Sequence, residues 1–145
     1  MLLIFLILFS LSNGIDLQDL SNPTIFEVNT VQDTQRVVKM EFDKRHKDFG
    51  KMVRGEKRNS VFTFTNTGNE DIIIDLVSGC DCTTLDWPRL PIAPGAEGAI
   101  DVLFDSSEKE ESGTVEIDIY LKNKDPKTGY GMLEIVSYSF ELIEK

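Results

Sequence analysis

The chain has 145 residues, 25 acids against 15 Lys and Arg for a formal charge of −10, one His, two Cys and a hydrophobic share of 41%. That is chain enough for about one globular domain, which excludes a multi-domain enzyme or a long repeat solenoid. The negative charge argues against nucleic acid or an anionic membrane as partner, and a single His leaves hydrolytic triads and His-rich zinc sites to be built on His46 alone.

Residues 2–11 (LLIFLILFSL) form an almost unbroken apolar run that spans about 15 Å as a helix, half of a bilayer core. With Ser12 and Gly14 at the small-residue positions, it reads as a signal peptide of residues 1–14, cleaved after Gly14. No Lys or Arg precedes the run and no Cys follows it until Cys80, which argues against lipoprotein attachment. The expected product is extracytoplasmic (periplasmic, cell-surface or secreted) and has no integral membrane span after cleavage. Residues 15–35, of mixed polarity and with Pro23, read as a linker, and residues 36–145 as the domain.

Charge is uneven beyond the linker. Residues 36–58 hold nine basic side chains against four acids, and residues 59–145 hold six against seventeen. This pattern fits either a solvated cationic strand and turn or a bipolar surface that pairs head to tail or docks an acidic polymer. Within the basic stretch, His46 lies in Asp43-Lys44-Arg45-His46-Lys47-Asp48, which is too charged for core and reads as a solvated turn.

Period-two alternation then marks the strands: Val38/Met40/Phe42, Phe62/Phe64, Ile72/Ile74/Leu76, Ile100/Val102/Phe104 and Val115/Ile117/Ile119/Leu121. In residues 133–142 the apolar parity changes between Leu133/Ile135 and Val136/Tyr138/Phe140/Leu142, which predicts a bulge near Ile135. Arg54-Gly55-Glu56, Asn66-Thr67-Gly68-Asn69, Pro94-Gly95, Ser112-Gly113 and Asn123-Lys124-Asp125-Pro126 supply turns between the runs. No window has a helical face. The pattern describes an all-β antiparallel sandwich of about seven strands, with Phe42, Phe62, Phe64, Phe104 and Phe140 facing inward.

Gly79-Cys80-Asp81-Cys82-Thr83-Thr84 is the most specific local motif. In an extended strand the two Cα atoms would sit about 6.5–7 Å apart, at or beyond the usual disulfide range, so a bridge requires a turn. A ring this small gains only about 1.6 kcal/mol of loop-closure entropy. The pair therefore reads as structural, bridged or buried, with metal or thiol-redox chemistry at Cys80 and Cys82 as the alternative. Just beyond, Trp87-Pro88 offers either a plug for one end of the sandwich or an aromatic face for a sugar. The acids of the C-terminal half single out no glycosidase pair.

Several motifs in fixed order resemble domain-of-unknown-function family 1573: Asp48-Phe49-Gly50, Gly55-Glu56, Phe62-Thr63-Phe64-Thr65-Asn66-Thr67-Gly68, Cys80-Asp81-Cys82-Thr83, Pro91-Ile92-Ala93-Pro94-Gly95 and Val102-Leu103-Phe104-Asp105. The resemblance covers about residues 36–122. It implies an immunoglobulin-like fold related to the ASH/MSP group and a secreted or envelope-associated setting, with no established activity. The family usually has Gly where this chain has Asp81, and its compact ending is missing around residues 124–131.

The resulting expectation is a non-catalytic structural or protein-interaction module without a cofactor, its partner another envelope or extracellular protein. The loop from Cys80 to Pro94, with Trp87, Pro88 and Arg89, is the expected contact surface. Intact mass of the secreted protein, with and without alkylation, should report a chain starting at Ile15, 131 residues long once the 14-residue leader is removed from 145. A mass that retains residues 1–14 would refute cleavage.

Overall fold

A computed structural model describes residues 35–144. The expected signal peptide and nearly all of the linker lie outside the described residues. Eight strands form two four-stranded sheets, and no helix occurs among the described residues. In chain order the strands are β1 (Met40–Phe42), β2 (His46–Val53), β3 (Lys57–Asn66), β4 (Ile74–Ser78), β5 (Thr83–Asp86), β6 (Glu97–Asp105), β7 (Gly113–Lys124) and β8 (Gly131–Ile143). The first sheet has the order β1-β3-β6-β5 and the second β2-β8-β7-β4. All pairs are antiparallel except β2 with β8.

Alternation places the core as expected in most strands. Phe62, Phe64, Ile100, Val102 and Phe104 from the first sheet meet Val115, Ile117, Ile119, Leu121, Val136, Tyr138 and Phe140 from the second, all buried. Phe104 of β6 contacts Tyr138 and Phe140 of β8 at ring-centroid distances of 5.0 and 4.7 Å, which joins the central strands of the two sheets. Gly98 makes room for Phe64: a Cβ there would lie 2.3 Å from its ring.

Three expectations are corrected. His46 is not in a turn; it opens β2, which the sequence pattern concealed. Gly50, at φ 67°, sits at a register break between Asp48 and Lys51, so Phe49 and Met52 both turn inward although their spacing breaks alternation. Phe49 packs tilted against Tyr138 at 4.7 Å and stacks on Phe104 at 5.9 Å, and Lys47 lies 5.8 Å from the Phe62 ring centroid. The bulge expected near Ile135 is absent, because β7 and β8 stay in register from Gly113/Phe140 to Tyr120/Leu133. Leu133 and Ile135 instead face outward, 46% and 42% exposed.

The third correction concerns β4, where a register break falls between Ile74 and Leu76. Asp75 is the extra residue and pairs with Lys122 at 3.7 Å, so Ile74 and Val77 are buried while Leu76 is 49% exposed. The six alternating runs of the sequence become eight strands, against about seven expected, through β2 and the short β5.

Asn66, wholly buried at the end of β3, holds the loops of one end together. Its side-chain N–H groups donate to the carbonyls of Glu70 at 2.7 Å and Ile92 at 2.9 Å, and its Oδ1 accepts from Gly68 N–H at 3.0 Å. Asn66→Ala removes three hydrogen bonds made by a wholly buried side chain and should cost about 2–3 kcal/mol in urea unfolding. Leu76→Ser should stay within about 0.5 kcal/mol of wild type, whereas Ile74→Ala should cost about 2–4 kcal/mol. Equal losses at 74 and 76 would contradict the bulge.

Candidate functional site

The cysteine motif forms a tight turn at the entrance to β5. Thr83 N–H donates to the Cys80 carbonyl at 2.9 Å, drawing the Cα atoms of Cys80 and Cys82 to 5.1 Å, and the two are joined by a disulfide. Asp81 fits without strain, since no residue other than Gly has positive φ among the described residues. The departure from the family's usual Gly therefore has no backbone cost here. Both sulfurs are half-buried, and each approaches the Thr83 hydroxyl, at 3.3 Å for Cys80 and 3.6 Å for Cys82.

The turn is tied to the core from below. The Thr83 and Tyr138 hydroxyls hydrogen-bond to each other, and Asp105 N–H donates to the Cys82 carbonyl at 2.9 Å. Burial pushes the Tyr138 hydroxyl above the usual phenol range, with the Thr83 bond acting in the opposite direction. Joined to each other, the sulfurs are not thiolates, so metal ligation at Cys80 and Cys82 would first require reduction. Among the described residues no group of three or more His, Cys, Asp and Glu is placed to hold a metal ion.

Beyond β5 the expected contact loop is built on Trp87. Its ring packs on the core, and its outer side is covered by Arg89, whose guanidinium carbon lies 3.5 Å from the ring centroid. Asp86 accepts from Trp87 N–H at 3.0 Å and pairs with Arg89 at 3.7 Å. Trp87 thus packs against the core on one side and is covered by Arg89 on the other. Its ring N–H is buried without a partner. Pro88 is half-buried, and the chain then presents Leu90, 78% exposed, before Ile92 returns to the core in a bridge with Ile72.

His46 lies far from this loop in the sheet order. On the outer face of the second sheet its Nδ1 meets Ser137 Oγ at 2.9 Å and its Nε2 meets Ser139 Oγ at 3.0 Å. Only the parallel β2–β8 pairing brings these together, and no sequence signal marked it. The ring lies on an exposed face, and Asp48 reaches Ser139 rather than the imidazole.

A match to the family Protein of unknown function (DUF1573) covers residues 40–134. The chain belongs to this family. Among solved structures it is similar to a protein of unknown function from Porphyromonas gingivalis W83, with 21% identity and a TM-score of 0.59, over 74% of this chain and 48% of that one. The ASH / PapD-like domain of human CEP192 (PapD-like domain 7) aligns at 12% identity and TM-score 0.58, over 74% and 87%. The secreted serine protease VesC from Vibrio cholerae aligns at 20% and 0.52, over 74% of this chain but 23% of the protease. The chain thus spans about half of the first of these proteins and under a quarter of the third. At these identities the likeness shows the immunoglobulin-like fold alone. No curated protein matches by sequence.

Asp105, next to the disulfide turn, is held at about 2 by the Ser107 hydroxyl and N–H, at 2.6 and 3.0 Å, and by Lys57 at 3.0 Å. A carboxyl depressed on folding stabilises above its ordinary value of 3.8, and that contribution is lost as pH falls toward 2. Ser107→Ala should move the Asp105 titration, followed by carboxyl NMR, up toward 3.8. An unmoved midpoint would refute the hydrogen-bond cause.

Proposed function

We propose that the chain is an exported, non-catalytic immunoglobulin-like module that binds another envelope or extracellular protein through the loop between Cys80 and Pro94. One observation carries this reading: Leu90, 78% exposed, stands on a loop fixed at both ends. The disulfide turn and the Thr83–Tyr138 hydrogen bond fix the entry, and the Ile92 bridge and Asn66 fix the exit. A preorganised apolar side chain loses little entropy on binding, which suits a contact residue. Export rests on the apolar run of residues 2–11. No observation favours the metal or thiol-redox alternative.

A photo-crosslinking residue placed at position 90 in cells should give a discrete protein adduct, whereas the same probe at Tyr130, equally exposed in the β7–β8 turn, should not. Adducts at both positions alike, or at neither, would overturn the assignment of the loop.

A further inference from the structure

The outer face of the first sheet holds a groove that packing does not account for. Across β5, β6 and β3 the register sets two adjacent rows, Asp86–Asp101–Val61 and Thr84–Leu103–Asn59. Alternation turns all six side chains outward, where they line a depression of about 360 Å³. Val61 and Leu103 are 42% and 36% exposed. In the first row two aspartates face each other across the strand pair, an arrangement that destabilises a sheet. Arg89 reaches Asp86 from the loop side at 3.7 Å, but Asp101 makes no ion pair among the described residues. Facing carboxylates beside uncovered aliphatic side chains gain nothing for folding. A cation on an aliphatic stem would relieve both.

We propose that this groove seats a lysine or arginine side chain from an extended segment of a partner protein, which rests on the reading of the chain as an interaction module. The methylenes of that side chain lie over Val61 and Leu103, and its charged head lies by Asp86 and Asp101. A second copy of this chain is poorly equipped for the role. Six of the nine basic side chains in its basic stretch pair internally, Arg36, Lys39, Arg45, Lys51, Lys57 and Arg58 with Glu70, Glu41, Glu134, Glu141, Asp105 and Glu56, while Arg54 donates to the Ser107 carbonyl and Lys47 lies over the Phe62 ring. The charge left uncompensated is acidic, and the net −10 draws a cationic partner.

The test measures fluorescence anisotropy of the full chain with a labelled peptide that alternates valine and threonine around one central lysine, against glutamate and norleucine versions. The lysine peptide should bind at least about fivefold tighter than either control, and less tightly as salt rises. Asp101→Asn should weaken lysine-peptide binding about fivefold while raising the melting midpoint by about 1–4 °C, since it removes the facing charge. A gain in stability with a loss of binding separates recognition from damage to the fold. Equal binding of the three peptides, binding by none, an affinity unchanged in Asp101→Asn, or a lowered midpoint would each overturn the proposal. So would a dimer of the full chain in sedimentation that Asp101→Asn dissociates, because the occupant would then be a second copy. The position-90 adduct reports separately: if it persists while the groove fails, the module reading stands without the groove. If the adduct is missing while lysine-dependent binding through Asp101 holds, the groove stands and the loop assignment falls.

Discussion

The contact between Phe104 and Tyr138 is the one on which the rest of the structure depends. β6 and β8 are interior strands of their sheets, so this contact, with Phe49 and Phe140 around it, closes the sandwich at its middle. It also supports the surface. The Tyr138 hydroxyl reaches through to Thr83, so the cysteine turn and β5 stand on the aromatic cluster. A wholly apolar Phe at 138 would fill the space and leave the Thr83 hydroxyl half-buried without that partner.

The polar fixings are local and divide the work. The disulfide closes a three-residue ring and ties no distant parts together. Its effect is to set the turn that starts β5 and aims the chain toward Trp87. Asn66 does the longer-range work, linking the end of β3 to the returning segment at Ile92 across 26 residues of sequence. Arg45 closes one margin of the sandwich: it lies 4.8 Å from the Phe42 ring centroid, donates to the carbonyls of Met40 and Ile135, and pairs with Glu134 at 2.7 Å. Charges that read in sequence as a basic face are largely spent on such margins and cross-strand pairs.

Legibility followed the regularity of the strands. β3 and β6 pair without interruption and β7 breaks register with β8 only beyond Tyr120, so period two marks their inward residues correctly, from Phe62 to Leu121. β2 and β4 each contain a register break, and a single extra residue inverts parity from that point onward. Gly50 was the available sign for β2, since glycine at a positive φ commonly marks a bulge. For β4 no such residue signals the break: Asp75 is stabilised there by Lys122 from another strand. The spacing of the cysteines requires a turn for a bridge, and the turn is there. In sequence Trp87 fits either plug or ligand face, because covering its ring requires Arg89 to fold back toward Asp86.

By itself the sequence determined the all-β sandwich, the inward aromatic set, the turn at the cysteines and the family. These rest on residue type and spacing within a few positions, where covalent geometry leaves little choice. Only the tertiary structure decided that β2 pairs in parallel with β8, that Leu76, Leu133 and Ile135 face outward, and that six of the nine basic side chains in the basic stretch pair with acids up to 90 residues away. It also decided that Asp86 stands opposite Asp101 beside Val61 and Leu103. Which residues become neighbours across strands is set by register, and register is fixed by how two whole sheets bury their inner faces together.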